Sequence, residues 1–241
     1  MKDFSKMNLF YAPYIVEPVT TLTEDESKHI VRVLRKSEGD IVFFTDGLGF
    51  IYKCVIKEAN PKKCLIEIVE KTAGRDKRNF RLHIAIAPTK NITRFEWFLE
   101  KSTEIGIDNI TPLLCTRSER KHINIKRSKK IILSAMKQSI TTILPEIHEM
   151  VSIKSFLKNL HTGNAFMAYC DSNKEVHLKS QIHPAQKYTV LIGPEGGFSP
   201  EEVQLAKEKD VQLVGLGTSR FRTETAGIIA CHTISLCNEE T

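Results

Sequence analysis

Apolar residues along the chain change their rhythm about a third of the way through. Before that point they come in short runs broken by turn formers, the pattern of a small β structure. Ile41-Val42-Phe43-Phe44, the run from Phe50 to Ile56 and the run from Leu65 to Val69 read as strands. Gly39-Asp40 and Asp46-Gly47 supply the turns. Thr23-Glu24-Asp25-Glu26 has capping-box spacing and predicts a short helix through His29, Ile30, Val33 and Leu34. The polar stretch from Lys71 to Arg81, with Gly74 inside it, predicts a linker.

Beyond the linker, apolar strands alternate with helical periodicity, which predicts an α/β fold with a parallel sheet. The strand candidates are Leu82 to Ala87, Ile110 to Cys115, Ala165 to Cys170, Tyr188 to Ile192 and Val211 to Leu216. Thr93-Arg94-Phe95-Glu96 fits a second capping box, and Phe95, Phe98, Leu99 and Ile105 recur on one helical face until Gly106 stops it. A basic helix is predicted from about Lys126 to Ile140. Ser199-Pro200-Glu201-Glu202 joins an N-cap serine, a first-turn proline and a glutamate at the third position. From Thr223 onward Ala226, Ile229, Ala230 and Ile234 describe a closing helix. The chain therefore divides into a small β-barrel over residues 1–72 and an α/β domain over residues 73–241.

Two glycine-bearing loops follow the last two strands. The first is Gly193-Pro194-Glu195-Gly196-Gly197-Phe198, the second Leu216-Gly217-Thr218-Ser219-Arg220-Phe221-Arg222-Thr223-Glu224-Thr225-Ala226. Both join a strand to a helix, so they are expected side by side at the carboxyl edge of the sheet, where open α/β folds bind ligands. Alone, G-P-E-G-G reads as an ordinary tight turn. The second loop changes that weighing, because it sets charged and hydroxyl groups at a helix start whose N–H groups are free.

Composition narrows the classes. The net charge of +6 is uneven: residues 81–160 carry 14 Lys/Arg against 7 Asp/Glu. Between Arg117 and Lys130, the cations Arg117, Arg120, Lys121, Lys126, Arg127, Lys129 and Lys130 face only Glu119. Such a run suits a phosphate backbone, and equally a solvated helix face. The six cysteines, Cys54, Cys64, Cys115, Cys170, Cys231 and Cys237, show no C-x-x-C pair and read as reduced core residues. The histidines have no H-E-x-x-H spacing, so no metal is expected. Met1 to Lys6 leads into no apolar signal core, and no run approaches the roughly 18 residues of a membrane helix. A cytoplasmic location with no membrane partner follows.

Neither loop carries a P-loop, a dinucleotide fingerprint or a nucleophile elbow. Taken together, L-I-G-P-E-G-G-F-S-P-E-E and the later L-G-x-x-x-x-R-T-E-T-A resemble the SPOUT class of knotted S-adenosylmethionine-dependent RNA methyltransferases. Within it, they resemble the family that methylates N3 of a uridine in 16S ribosomal RNA. His29 to Arg35 followed by Gly39-Asp40 is similar to that family's PUA-like RNA-binding barrel. Phe95-Glu96, Glu100 to Gly106, Thr116-Arg117-Ser118 and Pro145-Glu146-Ile147 extend the likeness over nearly the whole chain.

The resemblance implies a trefoil-knotted α/β domain, a homodimer, and a methyl donor held largely by backbone groups of Leu191, Ile192, Gly193, Gly196, Gly197, Leu216, Gly217, Phe221 and Ala226. S-adenosylhomocysteine would be the product. Arg222 is the candidate for stabilising charge on the uracil. Glu224 is a candidate base, or else a helix cap or an arginine partner. Arg32, Arg35, Arg117, Arg120 and Lys121 are candidate RNA contacts; Arg32 and Arg35 also read as solvated flanks. The chain departs from the family at Lys137-Gln138-Ser139-Ile140-Thr141, where Glu-Gln-Ser-x-Arg is frequent, and at Ser219, where an arginine is common. The expected partner is 16S rRNA or the small ribosomal subunit. Ribose 2′-O-methylation, or RNA binding without catalysis by a ribosome assembly factor, are the alternatives.

Overall fold

The computed structural model describes residues 8–74, 78–160, 163–170 and 176–239. Met1 to Lys6 and residues 75–77 of the predicted linker lie outside these. The chain forms two compact units: one takes in residues up to Lys77 together with Met136–Leu144, the other Arg78–Ala135 and Pro145 onward.

In the first unit, β1 (Leu9–Tyr11), β2 (Val19–Thr21), β3 (Ile41–Thr45), β4 (Phe50–Glu58) and β5 (Leu65–Ala73) form a curled sheet in the order β1-β3-β4-β5-β2. β1 runs parallel to β3, and the other pairs are antiparallel. The two edge strands have only three residues each, too short for periodicity to reveal. Phe10, Ile30, Phe44, Cys54, Ile56 and Ile66 fill the core under the sheet. α1 (Glu24–Lys28) starts at Thr23, whose hydroxyl accepts the Glu26 N–H at 3.5 Å, and its continuation over His29–Val33 widens into a π-helix. Residues 136–144 bind to this unit through their main chain: the Thr142 carbonyl accepts from Thr45 Oγ1 at 3.1 Å and from the Gly49 N–H at 3.0 Å. Lys137, one of the departures from the family pattern, pairs with Glu26.

The second unit contains β6 (Arg81–Ile86), α2 (Ile92–Ile105), β7 (Asn109–Leu114), the start of α3 (Ile125–Ser139), whose last residues belong to the first unit, β8 (Glu146–Ile147), β9 (Val151–Ser152) and α4 (Ile153–Lys158). It continues with β10 (Asn164–Ala168), β11 (Lys187–Ile192), α5 (Pro200–Lys207), β12 (Gln212–Val214) and α6 (Thr223–Glu239). The sheet is wholly parallel, in the order β12-β10-β11-β6-β7-β8, with β9 also on β7. Alternate side chains divide between its faces. Ala85, Leu113, Ala165, Met167 and Leu191 pack against α4 and α5 through Leu157, Val203 and Ala206.

Two helix starts test the capping signals. The Ser199 hydroxyl accepts the Glu202 N–H at 3.3 Å, and a Glu202 carboxylate oxygen accepts the Ser199 N–H at 2.8 Å, a complete capping box. The second expected box does not form. Helix α2 begins two residues earlier, with the Asn91 side chain accepting the Thr93 N–H at 3.1 Å. Asparagine caps as well as threonine, and starting there adds Ile92 to the helix. Gly106 closes α2 at φ 103°, as expected for a left-handed C-cap.

On the other face, α6 lies tightly against α2 and β6. A Cβ on Gly227 would stand 2.7 Å from Phe98 and 3.1 Å from Ile86. Gly227→Ala should therefore destabilise the protein by about 1–2 kcal/mol, overpacking outweighing the gain of about 1 kcal/mol in helix propensity. Urea unfolding measures this, and a raised midpoint would contradict the packing.

His83 lies at the amino end of β6, with Nε2 2.8 Å from Thr111 Oγ1. Burial, reinforced by His148, lowers its pKa from 6.5 to about 4. Between those values the unfolded chain holds a proton that the folded one does not, so this stability is complete above pH 6.5 and is lost as pH falls toward 4. His83→Gln should remove about 1–3 kcal/mol of the loss between pH 7 and 4.5. Unfolding midpoints across that range, compared with the parent, check it; an unchanged slope would rule it out.

Candidate functional site

The parallel sheet sends the carboxyl ends of β10, β11 and β12 to one edge, and a cavity of about 660 Å³ opens there. That volume lies in the range of small-molecule sites. Its walls come from Ala168 to Cys170 after β10, Ile192 to Phe198 after β11 and the run from Val214 to Ala226 after β12, with Arg117 from the loop after β7. The two glycine loops do not lie on adjacent strands, since β10 runs between β11 and β12. They meet nonetheless, because Thr223 Oγ1 donates to the Gly193 carbonyl at 3.0 Å. Thr223 is buried and Gly193 half-buried, so this bond joins one loop to the other largely away from water.

Each loop rests on its own phenylalanine. The position of a Cβ on Gly193 is 3.1 Å from the Phe198 ring, and that of one on Gly217 is 3.3 Å from Phe221. Gly197 has φ +71° and Gly217 φ +148°, backbone conformations that side chains other than glycine rarely adopt. Phe198 is buried in the cluster that includes Leu191, while Phe221 lines the cavity.

Of the nine candidate donor-binding residues, Ile192, Gly193, Gly196, Gly197, Leu216, Gly217, Phe221 and Ala226 all line the cavity. Leu191 is not part of the lining; its side chain is wholly buried in the core, while the expectation for it concerned its main chain. Arg222 lines the cavity and is exposed. Glu224 is at α6 but outside the cavity lining, with Oε1 3.9 Å from Arg94 Nε and Oε2 buried. Of its three readings, the arginine partnership is the one the geometry favours.

The candidate RNA contacts separate into two groups. Arg32, Arg35 and Lys121 are exposed, Arg35 at φ 54° just past the π-helical turn. Arg117, which is also exposed, and the half-buried Arg120 bond to main-chain carbonyls: Arg117 to Gly196 and Phe198, Arg120 to Thr89 and Lys90. Arg127, from the same basic run, pairs with Glu96, whose carboxyl is held below its ordinary range chiefly by that hydrogen bond.

Sequence reasoning missed the β10 end (Ala168, Tyr169 and Cys170) and the loop-joining role of Thr223. The first carries no motif, and the second shows only when two loops 30 residues apart are brought together. Cys170 also departs from the expectation of core cysteines, being exposed at the cavity. Cys54 and Cys115 fit that expectation, with burial pushing each thiol up to about 12. A second cavity of about 670 Å³ opens at the amino-terminal edge of the sheet, around His83, Phe156 and Thr189. It contains neither glycine loop. No described helix is long and apolar enough to cross a membrane.

A family model described as an RNA methyltransferase domain matches residues 76–235, and one described as an RNA methyltransferase PUA domain matches residues 22–69. Ribosomal RNA small subunit methyltransferase E of Aquifex aeolicus is 30% identical over 229 residues, covering 91% of this chain and 95% of that protein. Its counterpart from Bacillus subtilis is 28% identical over 235 residues, covering 92% and 91%. Among solved structures, a probable rRNA-methyltransferase from Porphyromonas gingivalis is 39% identical, with a TM-score of 0.88 over 96% of this chain and 99% of that one. Ribosomal RNA small subunit methyltransferase E from Neisseria gonorrhoeae, solved bound to S-adenosyl methionine, shares the fold with a TM-score of 0.84 at 23% identity, over 96% and 98%. The fold is the SPOUT α/β class with an amino-terminal PUA-like unit, as the two late motifs imply. The chain belongs to the RNA methyltransferase family that includes the ribosomal RNA small subunit methyltransferase E proteins.

Proposed function

We propose that this protein methylates N3 of a uridine in 16S ribosomal RNA, with S-adenosylmethionine as the donor, in the cleft between the two glycine loops. The observation that carries the reading is the convergence of both loops on one cavity, joined by Thr223 and the Gly193 carbonyl. The lining fits the donor: Ile192, Val214, Leu216 and Phe221 offer apolar surface to a flat base, and the main chain at 193–197 and 216–217 offers hydrogen-bonding groups close by. When bound, S-adenosylmethionine supplies an electrophilic methyl group on a sulfonium.

The protein's own contribution is then alignment for an in-line displacement and management of charge. Uridine N3 lies on the pairing edge, so the base must be unpaired or turned out of its helix to enter. N3 also carries a proton that leaves before or during attack, and negative charge spreads onto the uracil oxygens. Arg222, on the cavity wall, is the group to stabilise that charge. The proton acceptor is left to solvent or RNA in this account, because Glu224 faces Arg94. The exposed Arg32, Arg35 and Lys121 supply cations for the RNA backbone. Action as a homodimer in the cytoplasm completes the proposal. The exposed Leu236 and half-buried Ile228 and Ile229 on α6 support an apolar contact surface.

Mass spectrometry of nucleosides from 16S rRNA treated with purified protein tests the reaction. A methyl on the uracil base is expected. A methyl on ribose would move the protein to 2′-O chemistry, and no methylation without donor binding would leave an RNA-binding assembly factor. Arg222→Ala should lower single-turnover methyl transfer by about 100-fold or more. Donor affinity by calorimetry should stay within about threefold, since the arginine is assigned to the later charge. Near-normal transfer would remove Arg222 from catalysis. Gly196→Val should weaken donor binding by at least about tenfold, because its Cβ falls 3.2 Å from the Arg117 stem and the branch must displace the loop. Parent-like affinity would contradict the loop geometry.

A further inference from the structure

The basic run contains two arginines whose guanidinium groups point back into the protein's own main chain. Arg117, in the loop after β7, donates from Nη1 to the carbonyls of Gly196 at 2.9 Å and Phe198 at 3.3 Å. Three residues on, Arg120 donates to the carbonyls of Thr89 at 2.9 Å and Lys90 at 2.6 Å, in the loop after β6. The Lys90 N–H in turn donates to Glu195 Oε1 at 2.9 Å, in the loop after β11. These bonds make a closed circuit through three loops on the adjacent strands β11, β6 and β7. Buried Glu202 anchors it, accepting the Thr116 N–H at 2.7 Å and the Thr116 hydroxyl at 3.0 Å while it caps α5.

Resting on the methyltransferase reading, we infer that Arg117 is a positioning residue: its exposed guanidinium is committed to holding the Gly193–Phe198 loop in its donor-binding shape rather than to RNA phosphates. Three features meet at Arg117. Its Nη1 nitrogen donates to two carbonyls of the loop, its side chain fills the space that a Cβ on Gly196 would need, and it lines the cavity itself. Glycine at 196 thus serves the arginine stem, whereas glycine at 197 serves the backbone turn at φ +71°. Held by Arg117, the loop's main-chain groups would be in place before the donor arrives, which lowers the ordering cost of binding.

Three readouts on Arg117→Ala and Arg117→Lys test this. The first is hydrogen exchange in ligand-free protein at the Gly197 N–H, which bonds the Pro194 carbonyl at 2.8 Å, with the β11 amides as an internal control. The second is calorimetric affinity for S-adenosylmethionine, and the third is the salt dependence of 16S rRNA binding. For the alanine variant, exchange at Gly197 should quicken about tenfold with β11 unchanged, and the donor Kd should rise about tenfold. The RNA salt slope should equal the parent's. Both carbonyls are held by one nitrogen, and a lysine ammonium also carries several donors on one nitrogen, so Arg117→Lys should restore part of both losses. Unchanged exchange and donor affinity, with a salt slope smaller by about one, would make Arg117 a phosphate contact and overturn the inference. If the parent protein binds no S-adenosylmethionine, the function reading fails, while the exchange arm still decides whether Arg117 holds the loop.

Discussion

Parallel pairing of β10 between β11 and β12 is the constraint on which the site depends. Strands that run the same way deliver their carboxyl ends to one edge, so the loops after β11 and β12 cannot diverge to opposite sides of the domain. The spacing of one intervening strand leaves a gap between the loops, and that gap is the cavity. Its floor is the end of β10. The arrangement explains why two motifs distant in sequence act on one volume, and why a strand end with no motif of its own lines it.

Within that frame, local interactions decide how well the loops keep their shape. Phe198 and Phe221 pack beneath Gly193 and Gly217, so each loop folds over an aromatic ring of its own sequence. The Thr223 hydroxyl joins the two loops, and Glu202 and Arg117 fasten the first loop to the segment after β7. Hydrogen bonds of this kind are individually modest, and those at exposed positions are weaker still. Their value lies in closing a circuit, since displacing one loop strains bonds to two others.

Much of the fold was legible because its signals are local. The Ser199 capping box involves residues three apart, and Gly106 ends a helix by its own backbone preference. Strand alternation after the linker announced the parallel sheet. The legible part failed where two local signals competed, as at Asn91 and Thr93, or where an element was too short to show a period, as in β1, β2 and α4. The site was readable from its glycines, whose loops meet at one cavity. Charge gave no sign of the main-chain bonds that Arg117 and Arg120 make, because their carbonyl partners are 79 and 31 residues away in the chain, and carbonyls leave no mark in a sequence.

The central claim is that one cleft between the two glycine loops holds the methyl donor. A crystal structure of this protein grown with S-adenosylmethionine tests it most directly. The account predicts density for the donor against Ile192–Gly197 and Leu216–Phe221, with its methyl group reaching the side of the cavity where Arg222 stands. Donor bound elsewhere, such as the cavity around His83, with the cleft between the loops closed or empty, would contradict it.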